Sequence, residues 1–117
     1  VADEEFYRSA YDFLERHRAP PPVRSVVDFY HGSASWDFPK VVYATDRLMP
    51  EFRRRRHWIT PDELRDGAVV ARLKVGDVAG ARRVLRVLAP LSARAHDGLQ
   101  SQLLEAHIRQ AETRAAR

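Results

Sequence analysis

Histidine is the first residue type to weigh for chemistry, and the five copies, His17, His31, His57, His96 and His107, are scattered. No HExxH or HxxxH pair exists, so no metal site is expected. Asp28 and His31 stand three apart and could meet on one helical turn, a spacing that more often gives a surface contact than a ligand set. Ser33 and Ser35 lie beside His31, but no GxSxG elbow accompanies them. Cysteine is absent, which removes a thiol nucleophile, a Cys-ligated zinc and any disulfide. Asp12 and Glu15 read as solubilising charge on the polar side of a helix. The expectation is no catalytic group, no metal and no cofactor. An enzyme with an unrecognised site is the weakest of three readings.

The run "FRRRRHW" (52–58) carries more. Arg53, Arg54, Arg55 and Arg56 are flanked by Phe52 and Trp58. Guanidiniums pair with phosphates or carboxylates, and an indole can stack beside them. The bland alternative is a solvated connector whose Phe52 and Trp58 tuck into the core. An acidic protein or a lipid headgroup surface suits the run better than nucleic acid, because a nucleic-acid binder spreads its charge over a face. Here Arg47 and Arg53 to Arg56, set against Glu51, already account for the whole net charge of +4. Eighteen arginines against two lysines, with many alanines, read as a bacterial-like composition bias rather than a binding signal.

A third candidate is "LKVGDVAGARRVL" (73–85). A phosphate loop needs converging backbone N–H groups and a preceding strand. Neither GxGxxG nor GxxxxGK with Ser or Thr is present, and Asp77 would occupy the anion position. The residues fit a structural turn instead. Gly76 ends one helix in a left-handed conformation, Asp77 caps the next, and Gly80 and Ala81 are small enough for two helices to lie close.

The elements that position these residues are all helical. A chain of 117 residues with 44% hydrophobic content has the size and composition of one ordinary domain. Val1 in place of Met points to a chain processed or cut from a longer one. The expectation is a single α-helical domain over 1–117, with an aromatic-rich part over 1–59 and a second part over 60–117. Asp3 caps a first helix whose apolar face is Phe6, Ala10, Phe13, Leu14 and His17, widened by Tyr7 and Tyr11, and "PPP" (20–22) stops it. "VRSVVDFYHG" gives a short helix that Gly32 ends, although its β-branched residues make a strand the competing reading. "SASW" is loop. Asp37 caps a third helix that Pro50 ends or bends. Thr60, Pro61 and Glu63 form a capping box for the fourth, with Leu64, Ala68, Ala71 and Val75 as its face. Asp77 opens the fifth, which Pro90 closes. The sixth starts near Asp97, with Leu99, Leu103, Ala106 and Gln110 in line and Leu104, Ile108 and Ala111 beside them. Six short antiparallel helices result.

On these residues, "ARLKVGDVAGARRVLRVLAPL" resembles the corner of a tetratricopeptide (TPR) repeat. The resemblance covers roughly 61–113. It implies that Ala81 is the small packing residue of a second helix, that Leu85 and Leu88 are its following apolar positions, and that the sixth helix opens a further repeat. Arg65 and Arg72 stand where that family carries large apolar residues, and the N-terminal half aligns with no repeat. The function expected is a non-catalytic interaction or scaffold domain, part of a longer chain or an assembly, that binds a protein partner. The alternative is an anionic-surface binder through Arg53 to Arg56. Eleven aromatics lie in the first half and most should be core. Trp36, in a loop, is expected to be exposed and, with Arg53 to Arg56 and Trp58, to contact the partner.

Overall fold

A computed structural model describes residues 3–91 and 97–116. Among them are six α-helices and no strand: α1 (Glu4–Arg16), α2 (Pro21–Ala34), α3 (Phe38–Arg53), α4 (Pro61–Lys74), α5 (Val78–Leu88) and α6 (Asp97–Ala115), with one 3₁₀ turn at Ala89–Leu91. The protein is all-α. The chain divides into two compact units, Val1–Ile59 and Thr60–Arg117.

In the first unit α2 packs on α3 and α1 on α2. Phe29, Val41, Ala44, Leu48 and Phe52 are buried. In the second unit α4 packs on α5, and α6 lies against both. Its buried residues include Leu64, Ala68 and Val69 of α4, Ala81, Val84, Leu85 and Leu88 of α5, and Leu104 and Ile108 of α6. Each fully buried leucine contributes roughly 2 kcal/mol of transfer free energy.

Helix starts follow local chemistry. Asp3, Asp37, Thr60 and Asp77 each accept a hydrogen bond from the backbone N–H three residues on, at 3.0, 3.3, 3.2 and 2.9 Å. Prolines occupy the first turn of α2, α3 and α4, where no amide partner is lost.

Helix ends share one device that the sequence reading found only at Gly76. In α1 to α4 an N–H beyond the helix reaches back to the carbonyl five residues earlier: Ala19 to Leu14 at 3.0 Å, and Asp37 to Gly32, Arg56 to Glu51 and Asp77 to Arg72 at 2.8 Å each. This is the Schellman closure, and it puts one residue in the left-handed region. That residue is Arg18 (φ 49°), Trp36 (φ 58°), Arg55 (φ 58°) and Gly76 (φ 83°) in turn. So α1 ends by a left-handed turn ahead of the prolines, which open α2.

Several expectations are corrected. Gly32 does not stop α2, which runs on to Ala34 and takes in Ser33; Gly32 is buried, and a Cβ there would stand 2.9 Å from Val41 Cγ2. "VRSVVDFYHG" is helical as expected. Pro50 neither ends nor interrupts α3, which continues to Arg53. Val75 is exposed rather than part of the α4 face. On α1 the inward positions are Tyr7, Ala10, Tyr11 and Leu14, whereas Phe6, Phe13 and His17 face solvent. On α6 Leu104 and Ile108 are buried, while Leu99 is 70% exposed. Of the eleven aromatics only Phe29 and Phe52 are buried.

The two hairpins are built alike. Pro61 opens α4 forty residues after Pro21 opens α2, and Asp77 follows Asp37 by the same step. Buried Val41, Ala44, Thr45 and Leu48 correspond at that spacing to buried Ala81, Val84, Leu85 and Leu88. Pro50 corresponds to Pro90, and left-handed Trp36 to left-handed Gly76.

Candidate functional site

The corner at Gly76 is structural. Asp77 Oδ1 accepts the Gly80 N–H, so the amide that would hold an anion is taken. Gly80 is buried and also makes room for the cap: a Cβ there would collide with the Asp77 carboxylate. Ala81 is fully buried.

Arg65 and Arg72, which depart from the TPR pattern, are both buried, Arg65 to 1% exposure. Arg65 Nε bonds Asp66 Oδ1 at 2.9 Å, and its Nη1 reaches Ser101 Oγ of α6 at 3.5 Å. Arg72 Nη1 donates to the Ala68 carbonyl, and its Nε stands 3.8 Å from Asp77 Oδ2. Across the same unit Arg82 forks onto Glu112 at 2.7 and 2.8 Å and onto Glu105 at 2.8 and 2.9 Å. These bonds hold both carboxyls below the ordinary glutamate range and raise the guanidinium above its own. A cavity of about 660 Å³ opens beside this clamp, between α5 and α6, and holds none of the expected contact residues.

In the first unit Asp28 and His31 each take other partners. Asp28 Oδ1 accepts the Tyr11 hydroxyl at 2.5 Å. Burial first, and that bond second, push the phenol well above its usual pKa. His31 lies under Tyr7, with centroids 4.5 Å apart. Its Nε2 is 3.1 Å from both Glu4 oxygens and its Nδ1 is 2.8 Å from Lys40 Nζ. An ammonium can only donate, so Nδ1 accepts and Nε2–H donates. This cluster ties α1 to α2 and α3. Ser33 Oγ donates to the Phe29 carbonyl, so it is not aligned with His31. Among the described residues no three His, Asp or Glu side chains gather as they would around a metal. His96 lies outside the described residues.

The expected contact residues fall into two places in the first unit. Trp36 caps the α2–α3 corner at 74% exposure, its ring edge-on to Phe38 at 6.1 Å. Arg53 to Arg56 form the exposed turn that closes α3. Arg54, Arg56 and Trp58 join Arg47, Glu51 and the prolines 20–22 around a cavity of about 440 Å³. Phe52 is buried, while Trp58 is 39% exposed and donates its indole N–H to Glu51 Oε1 at 3.2 Å. Glu51 is the member that sequence could not find, because an i+7 Trp–Glu bond requires the chain to turn back after α3. None of the protein-family models, curated proteins and solved structures compared with this chain matches it.

Proposed function

We propose that this chain is a non-catalytic interaction module, a TPR-like run of helical hairpins that engages a protein partner within a longer chain or an assembly. The observation that carries the reading is Trp36. A non-glycine residue in the left-handed region costs about 1–2 kcal/mol. The equivalent corner holds Gly76. A large indole, three-quarters exposed, occupies the position glycine would fill without strain, and such an outlier points to a contact made outside the fold. Arg18 and Arg55, at the ends of α1 and α3, have the same conformation. The forty-residue recurrence of caps, corners and buried positions supports a helical repeat, with a step longer than the ~34 residues of a TPR unit, and repeats present successive side faces to partners.

The test is retention of proteins on immobilised chain, with Trp36→Gly as the decisive variant. Trp36→Gly should fold at least as well as the parent and release partners that the parent holds at about 0.5 M salt. Retention of the same proteins by both would sink the reading. The alternative, an anionic surface held by the four exposed arginines, predicts salt-sensitive binding to acidic vesicles or oligonucleotides. Such binding would vanish in Arg53→Ser/Arg54→Ser/Arg55→Ser/Arg56→Ser.

A further inference from the structure

Glu51 is anomalous in its surroundings. The residue is only 7% exposed, although it sits at the most basic stretch of the chain. Oε1 is satisfied by Trp58. Oε2 has no hydrogen-bond partner among the described residues. Its ion-pair neighbour, Arg54 Nη1, stands 3.7 Å away, beyond hydrogen-bond reach. A carboxylate oxygen withdrawn from water without a donor is costly to maintain. Both Glu51 and Arg54 line the 440 Å³ cavity with Arg47, Arg56, Trp58 and the proline run.

Those groups state what would complete the site. Three guanidiniums against one carboxylate make the lining positive, so a cationic ligand is repelled. A bare inorganic anion meets Glu51. Both demands are met by a molecule that carries an anionic group at one end and a neutral O–H or N–H donor at the other. Phosphate suits the anionic end, because guanidinium forks match its oxygens. The partly exposed Trp58 ring offers a flat apolar surface, and the prolines form a stiff wall. The volume falls in the range of small-molecule pockets, roughly 300–1,000 Å³.

We propose that this cavity binds a phosphate monoester of mononucleotide or sugar-phosphate size. Arg54 and Arg56 hold the phosphate; Oε2 is closed off from solvent beside Arg54, and drawing Arg54 onto the phosphate uncovers it for a ligand hydroxyl or amino group to donate to. This goes beyond the partner-binding reading and does not depend on it.

Trp36→Phe leaves Trp58 as the single indole and therefore as the reporter. Its fluorescence is titrated with AMP, glucose 6-phosphate, adenosine and inorganic phosphate. At least one ester should saturate at about tenfold lower concentration than inorganic phosphate, and AMP should bind about tenfold tighter than adenosine if the nucleotide is the preferred ester. Which ester binds better separates a nucleotide from a sugar source. Glu51→Gln keeps the shape but places an amide donor where an acceptor stood. It should weaken the ester and strengthen inorganic phosphate, so their ratio collapses, while a thermal melt reports the fold. Arg54→Ser with Arg56→Ser should remove binding of both. The proposal is overturned if no ester saturates by about 10 mM, if inorganic phosphate binds as tightly as the esters, or if Glu51→Gln leaves the ratio unchanged. Should Glu51→Gln fail to fold, Arg54→Ser decides: undiminished ester affinity overturns the proposal.

Discussion

Trp36→Gly and Gly76→Ala should move stability in opposite directions, although the two positions are equivalent in their hairpins. At Trp36 the left-handed backbone (φ 58°) costs about 1–2 kcal/mol that glycine removes. Against that, glycine raises the entropy of the unfolded chain by about 0.4–1 kcal/mol. The edge contact to Phe38 is also lost. Trp36 is 74% exposed and the centroids are 6.1 Å apart, so that contact belongs at the low end, about 0.5 kcal/mol. The balance runs from a loss of about 0.5 to a gain of about 1 kcal/mol, centred on a small gain. At Gly76 the terms reverse. A Cβ there meets nothing within 4 Å, so no clash enters, and only strain and entropy remain. Gly76→Ala should cost about 1 kcal/mol, within a span of about 0–1.6 kcal/mol. Urea unfolding followed by circular dichroism, at unchanged m-value, measures both. A loss above about 1 kcal/mol in Trp36→Gly, or a stabilising Gly76→Ala, would refute the claim that one left-handed residue carries each reversal.

Two further outcomes test the second unit. Gly80→Ala should cost about 1 kcal/mol, because its Cβ displaces the Asp77 carboxylate. In an Asp77→Ala background the same change should instead stabilise by up to about 1 kcal/mol through helix propensity, and equal effects in both backgrounds on thermal melting would contradict the cap geometry. The Arg82 fork predicts acid sensitivity. Glu105 and Glu112 are held below their ordinary value of 4.5 chiefly by the bonds to Arg82. A depressed carboxylate stabilises the fold above its unfolded value, and that stability is lost as pH falls through the lower folded value. Midpoints measured from about pH 6 to about pH 3 should fall more steeply in the parent than in Arg82→Met, and parallel slopes would exclude the clamp as their cause.

What sequence made legible was local chemistry. Asp3, Asp37, Thr60 and Asp77 are caps because a short acceptor before a helix has one obvious donor to meet, and the structure places each there. The faces of the terminal helices were not legible. Along α1, Phe6 and Phe13 are as apolar as anything on the helix. The side that packs is chosen by partners far along the chain: Asp28 bonds Tyr11 and His31 stacks on Tyr7. On α6 the Arg82 fork onto Glu105 and Glu112 accompanies a face of Leu104 and Ile108, while Leu99 and Leu103 stay exposed. The corner at Trp36 carries no glycine to announce it. The hairpin correspondence is hidden for the same reason: buried Val41 and Thr45 answer to Ala81 and Leu85, similar in burial but not in identity. Of the candidate site, the arginines were visible as charge. The burial of Glu51 was not, because it depends on how α3 meets the prolines.

Asp37 and Asp77 each belong to two helices at once. The N–H closes the helix before, and the carboxylate opens the helix after. A joint of this kind contains no slack, since a single residue carries both the exit direction of one rod and the entry direction of the next. A one-residue insertion between Trp36 and Asp37 would separate the two duties and free the angle between α2 and α3. Forty residues, by contrast, is a length that leaves every joint whole. Joining Trp36 directly to Asp77 would remake the same corner from parts of both hairpins. The spacing thus acts as a unit of length, the step in which a chain built this way can grow or shorten without reopening a corner.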